Sequence, residues 1–93
     1  MENLEKYGMA IYKAIFDKKK SVEFEGAEYN IDKFSSGVRY LDLFGYRYIE
    51  QNRNKKSEWG KKARDGHRIM WIIKGRRYIA QIFDGEFKDL TKK

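Results

Sequence analysis

Ninety-three residues, 41% hydrophobic and 16% aromatic, are enough for one domain (1–93) with a single modest core, and 38% charged residues give it a densely ionic surface. The absence of cysteine excludes disulfides, thiolate zinc sites and thiol nucleophiles, and no apolar run reaches the roughly eighteen residues of a membrane helix. The net charge of +7 favours an anionic partner. Acids stand in "MENLEKYGMA" where a signal peptide carries its basic region, so the chain reads as cytoplasmic, with no membrane partner. Few Asn and Gln beside abundant Lys, Glu, Ile and Tyr lean toward a thermophilic source; the lack of proline leans the other way.

Residues 3–19 are predicted to form an amphipathic helix. Leu4, Tyr7, Gly8, Ile11, Ala14 and Ile15 recur at the spacing of a buried stripe, and Met9, Tyr12 and Phe16 widen it. Asn3 is the predicted cap, Gly8 implies close packing, and Lys18, Lys19 and Lys20 suit the C-terminal end of the helix dipole. The period then changes to two. "SVEFEGAEYNI" reads as a short hairpin whose carboxylates only solvate it, and "KFSSG" (33–37) as a loop. Two longer hairpins follow, "VRYLDLFGYRYIEQ" and "IMWIIKGRRYIAQI", and a last one at "IFDGEF".

Four turns of the form x-Gly are expected: Glu25-Gly26, Phe44-Gly45, Lys74-Gly75 and Asp84-Gly85. A turn at Phe44-Gly45 sets Asp42 against Arg47, Arg39 against Glu50, Leu41 against Tyr48 and Tyr40 against Ile49. A turn at Lys74-Gly75 sets Trp71 against Tyr78 on one face and Met70 against Ile79 on the other. In that register Tyr78 lines the core, Arg76 shares its face, and Arg77 takes the opposite one. Both faces of these strands carry large apolar groups, so the sheet requires cover on both sides. The first helix covers one. A second helix over "SEWGKKARDG" (57–66), with Ser57 as N-cap, Gly66 after its end and Trp59 and Ala63 facing the sheet, or else a partner subunit, covers the other.

The fold class is therefore α+β: an N-terminal helix on a mostly antiparallel sheet of hairpins, with a short second helix inserted between strands, in the order α-β-β-β-β-α-β-β-β.

The charge is local. Arg53, Lys55, Lys56, Lys61, Lys62, Arg64 and Arg68 face only Glu58 and Asp65, so one segment carries +5 of the +7. Lysines and arginines around a tryptophan suit phosphate contacts with a base stacked on the ring. The other readings are a solvated helix with Trp59 as a core anchor, or contact with an acidic protein. Arg76 and Arg77 extend the basic surface, with Arg76, beside a turn, the better ligand contact.

His67 is the only histidine and lacks the companions of a zinc site, so it reads as a capping or surface residue, although its ordinary pKa would suit acid–base work. No G-x-S-x-G, Walker or G-x-G-x-x-G motif occurs, so the chain predicts no cofactor, no metal ligands and no catalytic residues.

The pattern Gln-Asn, Lys-Ser-x-Trp, Ala-Arg-x-Gly-His and then a Trp-bearing strand, from "GYRYIEQN" through "KSEWGKKARDGHRIMW", resembles small uncharacterised proteins of thermophilic archaea and their mobile elements. The resemblance spans about a third of the chain. It implies a standalone domain and carries over no activity. In architecture alone the chain is similar to RelE-like toxins, which cleave messenger RNA through basic and tyrosine side chains; that likeness would single out His67, Arg68, Arg76, Arg77 and Tyr78. That family groups its helices before the sheet, whereas here the basic helix interrupts the strands.

The leading expectation is a non-catalytic domain binding DNA or RNA through the 53–68 segment, with Arg76, Arg77 and either Trp59 or Tyr46 alongside. A protein-interaction module, docking on an acidic partner or forming a homodimer, is the alternative, and a toxin-like ribonuclease the third.

Overall fold

The computed structural model describes residues 4–35, 38–41 and 46–91, with side-chain surroundings for 4–31 and 46–91. The elements are α1 (Leu4–Phe16), β1 (Ser21–Phe24), β2 (Ala27–Ser35), β3 (Val38–Leu41), β4 (Tyr46–Glu50), α2 (Glu58–Arg64), β5 (Ile69–Lys74), β6 (Arg77–Phe83) and β7 (Glu86–Asp89). This is the expected α+β order. The strands form an antiparallel meander in sequence order, with β2 long enough to pair with β1 along its first half and with β3 along its second. The loop expected over 33–37 is shorter than foreseen, because β2 runs on through Ser35, which pairs with Val38 across an irregularity.

Helix α1 buries Tyr7, Gly8, Ile11, Ala14 and Ile15, the stripe read from the spacing. These pack with Val22, Phe24, Tyr46, Tyr48, Met70, Ile72 and Ile82 into one core. A Cβ added at Gly8 would lie 2.7 Å from Ile72 Cδ1 and 2.9 Å from Phe87, so the glycine lets the helix settle onto β5 and β7. Burial pushes the Tyr7 hydroxyl up to about 12 and raises those of Tyr46 and Tyr48 as well, so the tyrosine cluster stays neutral and acts as apolar filling.

Asn3 lies outside the described residues. The other end of α1 closes in a Schellman motif: Lys19 N donates to Ala14 O at 2.9 Å and Lys18 N to Ile15 O at 3.1 Å. Lys18 occupies the left-handed position at φ 59°, where a side chain is strained. Lys18→Gly is therefore expected to stabilise the domain by about 0.5–1 kcal/mol, the relief of strain outweighing the greater freedom of an unfolded glycine. A urea midpoint equal to or below that of the parent chain would contradict this.

Two registers differ from the sequence reading. Between β3 and β4 the pairs are Val38 with Ile49, Arg39 with Tyr48 and Tyr40 with Arg47, two positions from the expected ones. A slip of two leaves every side chain on its face, so the apolar pattern cannot resolve it. Phe44, Gly45 and Asp42 lie outside the described residues; the Arg47 guanidinium donates to the carbonyl of Gly75.

Between β5 and β6 the turn is Gly75-Arg76, flanked by the pair Lys74 and Arg77, with positive φ only at Gly75. This is the pattern of a type II′ turn. A bulge follows: Ile73 pairs with Tyr78 but Ile72 with Ala80, leaving Ile79 as the extra residue. Beyond it Met70 faces Ile82, and not Ile79 as expected. The remaining expected turns hold, because Glu25-Gly26 and Asp84-Gly85 both have positive φ at both positions, as type I′ hairpins require.

Candidate nucleic-acid interface

Alternation along the strands sends Ile72, Ala80 and Ile82 toward α1, and Ile49, Trp71, Gln81 and Phe83 to the opposite face of the sheet. Helix α2 docks on that second face. Trp59 meets Trp71 edge to face, with centroids 5.6 Å apart, and Phe83 at 6.1 Å, while Ala63 is buried beneath the helix. The foreseen caps are present. Ser57 Oγ accepts from Gly60 N at 3.1 Å, and past the last turn Gly66 N and His67 N donate back to Ala63 O and Lys62 O.

With barely two turns, α2 covers only part of this face. Beside it a cleft of about 280 Å³ opens, lined by Ile49, Gln51, Asn52, Lys55, Ser57, Trp59, Trp71 and Tyr78. Gln51 Oε1 accepts the Trp71 indole N–H at 2.9 Å, which fixes the ring's orientation. Tyr78 stands against Trp71 edge to face at 5.5 Å and is 53% exposed. The expectation that Tyr78 lines the core is thus corrected: its face is as expected, but α2 stops short of covering it.

The predicted cationic residues divide between the two sides. Lys55 is on the rim of the cleft, and Lys62 Nζ lies 4.7 Å from the Trp59 ring centroid, 5.6 Å from that of Phe83 and 3.6 Å from Glu58 Oε1. Arg53, Lys56 and Lys61 are exposed on the loop and outer helix surface. Arg64 Nη1 donates to Arg53 O at 2.6 Å and Lys55 O at 3.0 Å, so this guanidinium clamps the loop that presents the others. Arg68, by contrast, turns to the α1 side, its Cζ 5.4 Å from the Phe16 ring. Arg77 pairs with Lys74, whose ammonium lies 5.5 Å from the buried Tyr46 ring, so it too belongs to the α1 side. Arg76 is exposed in the turn. Tyr46 is 4% exposed in the core and cannot flank a ligand.

Gln51, Trp71 and Tyr78 complete the cleft; of these only Tyr78 had been singled out, and only under the toxin likeness. For Gln51 and Trp71 the signal was parity: odd-numbered positions along β4 and its continuation and along β5 fall on one face, and Trp59 had to dock on it.

His67 sits just beyond α2, its ring 5.0 Å from Phe83 and its Nδ1 2.7 Å from Asp84 Oδ2. Asp84 Oδ1 also accepts from Arg68 N at 2.7 Å. That backbone bond first, and His67 second, hold the Asp84 carboxyl below its ordinary value. The histidine is a pin on the β6–β7 turn. The residues singled out by the toxin likeness do not converge, since Arg68 and Arg77 lie on the α1 side and His67 and Tyr78 on the other. Because the folded pKa of Asp84 is depressed, its stabilisation is complete above the unfolded value of about 4 and lost as pH falls through the folded one. Thermal scans below about pH 4 should therefore show a decline that Asp84→Asn makes shallower; an identical acid limb in the variant would refute the assignment.

Among the described residues no group of three His, Asp or Glu is placed to hold a metal ion, and no helix is long and apolar enough to cross a membrane. Comparison with protein-family models, curated proteins and solved structures finds no match to this chain.

Proposed function

We propose that this protein is a non-catalytic nucleic-acid-binding domain working through the α2 side of its sheet. The observation that supports this most directly is the conjunction of cation and ring: Lys55 lines an aromatic cleft and Lys62 lies over the Trp59 ring, with Arg53, Lys56 and Lys61 exposed on the same loop and helix. A face meant only for solvent has no need of two partly exposed tryptophans beside an exposed tyrosine. Phosphates would meet the ammonium and guanidinium groups while aromatic faces remain available to bases. Arg76, in the adjoining turn, widens the cationic rim. Arg68 and Arg77 contribute long-range attraction from the other side without touching the same ligand.

Titration with DNA and RNA oligomers at two salt concentrations tests the reading. Affinity that falls steeply as salt rises is the expected result, because each neutralised phosphate releases counterions. No binding at low salt would end it.

A further inference from the structure

Resting on that reading, we propose that the cleft between Trp59, Trp71 and Tyr78 is a stacking site for an unpaired base, so that the preferred ligand is single-stranded nucleic acid. The size of the opening is the first argument. At about 280 Å³ it lies just below the roughly 300 Å³ at which small-molecule pockets begin, which suits one flat ring and not a helix or a folded segment.

The second is the state of the rings. Trp71 is held through its indole N–H by Gln51 and packs edge to face with both Trp59 and Tyr78, so its lost freedom is already accounted for before a ligand arrives. Tyr78, more than half exposed, presents a ring to solvent beside it. Base–aromatic stacking requires a ring of this kind, and a duplex, whose base faces are already occupied by neighbouring bases, cannot use it.

Charge and edge chemistry complete the match. Lys55 on the rim supplies a phosphate contact, and Lys62 lies 4.7 Å from the centroid of the Trp59 ring. The amides of Gln51 and Asn52 line the same opening and provide donors and acceptors for the edge of a base. An acidic protein would satisfy the lysines but leave the rings without a role. Stacking reads the base and not the sugar, so ribo- and deoxyribo-oligomers qualify alike.

The chain has two tryptophans, both in the cleft, so their emission reports directly on it. The full chain is titrated at low salt with short oligothymidylate, oligouridylate, a DNA duplex and heparin, a polyanion without bases. Expected are quenching by both single strands, at least about tenfold weaker binding of the duplex, and no stacking-type quench from heparin. Tyr78→Ala should weaken single-strand binding about tenfold and leave duplex binding unchanged, while Tyr78→Phe retains it. Tyr78 is exposed, and an unchanged circular dichroism spectrum confirms that the variant folds. Equal affinity for single strand and duplex, together with an inert Tyr78→Ala, would overturn the stacking site while sparing the phosphate reading. Failure of every nucleic acid to bind removes that reading itself.

Discussion

Gly60→Ala is expected to destabilise the domain by about 2 kcal/mol or more, although alanine is the better helix former by roughly 1 kcal/mol. The reason lies in the loop before α2. A Cβ at position 60 would stand 2.0 Å from the carbonyl oxygen of Lys55 and 2.9 Å from its carbon. These are backbone atoms that cannot rotate away. The same carbonyl is held by Arg64 Nη1, and Gly60 N is itself bonded to the Ser57 cap. Making room for one methyl therefore means lifting the 52–57 loop off the helix and loosening the clamp and the cap. Since Lys55 lines the cleft, oligomer binding should weaken in parallel with stability. A urea melt of Gly60→Ala matching the parent, or exceeding it, would show that the loop does not rest on the helix in this way.

The second large effect is on binding alone. The triple substitution Lys55→Ala, Lys56→Ala and Lys61→Ala removes three exposed cations, and surface changes of this kind leave stability within about 0.5 kcal/mol. At about 1 kcal/mol for each contact near 4 Å in water, affinity for a nucleic-acid oligomer should fall on the order of a hundredfold. Its dependence on salt should flatten too. For single strands each contact contributes about 0.7 to the logarithmic slope, so three lost contacts reduce it by about 2. A variant that binds more weakly with an unaltered slope would show that these lysines do not meet phosphates. Unaltered affinity would move the interface off the α2 side altogether.

The order of the elements was legible because each boundary carries a local chemical mark. The apolar period changes after Lys20, glycines stand at the hairpin turns, and Ser57 and Gly66 bracket α2. Registers were less legible. The slip between β3 and β4 preserves faces and so leaves no trace in the pattern, and Asp42 opposite Arg47 looked as good on paper as the backbone carbonyl that Arg47 uses. The bulge in β6 falls on Ile79, a residue type that ordinarily marks an uninterrupted strand. The cationic half of the site could be found by counting charges. Its aromatic half depended on how far a short helix reaches across a sheet, which is a matter of tertiary contact. That reach decided that Tyr78 stays in solvent, and that Arg68 and the lysines of one charge run serve opposite sides of the molecule.

The extra residue at Ile79 also determines which changes in chain length the protein can survive. Deleting it would leave Tyr78 opposite Ile73 and Ala80 opposite Ile72 in regular alternation, with Ile82 still toward α1 and Gln81 and Phe83 still on the α2 side, at the loss of one buried isoleucine. Homologous chains one residue shorter between the Gly75 turn and Ala80 should therefore keep the same residues on each face of the rest of β6.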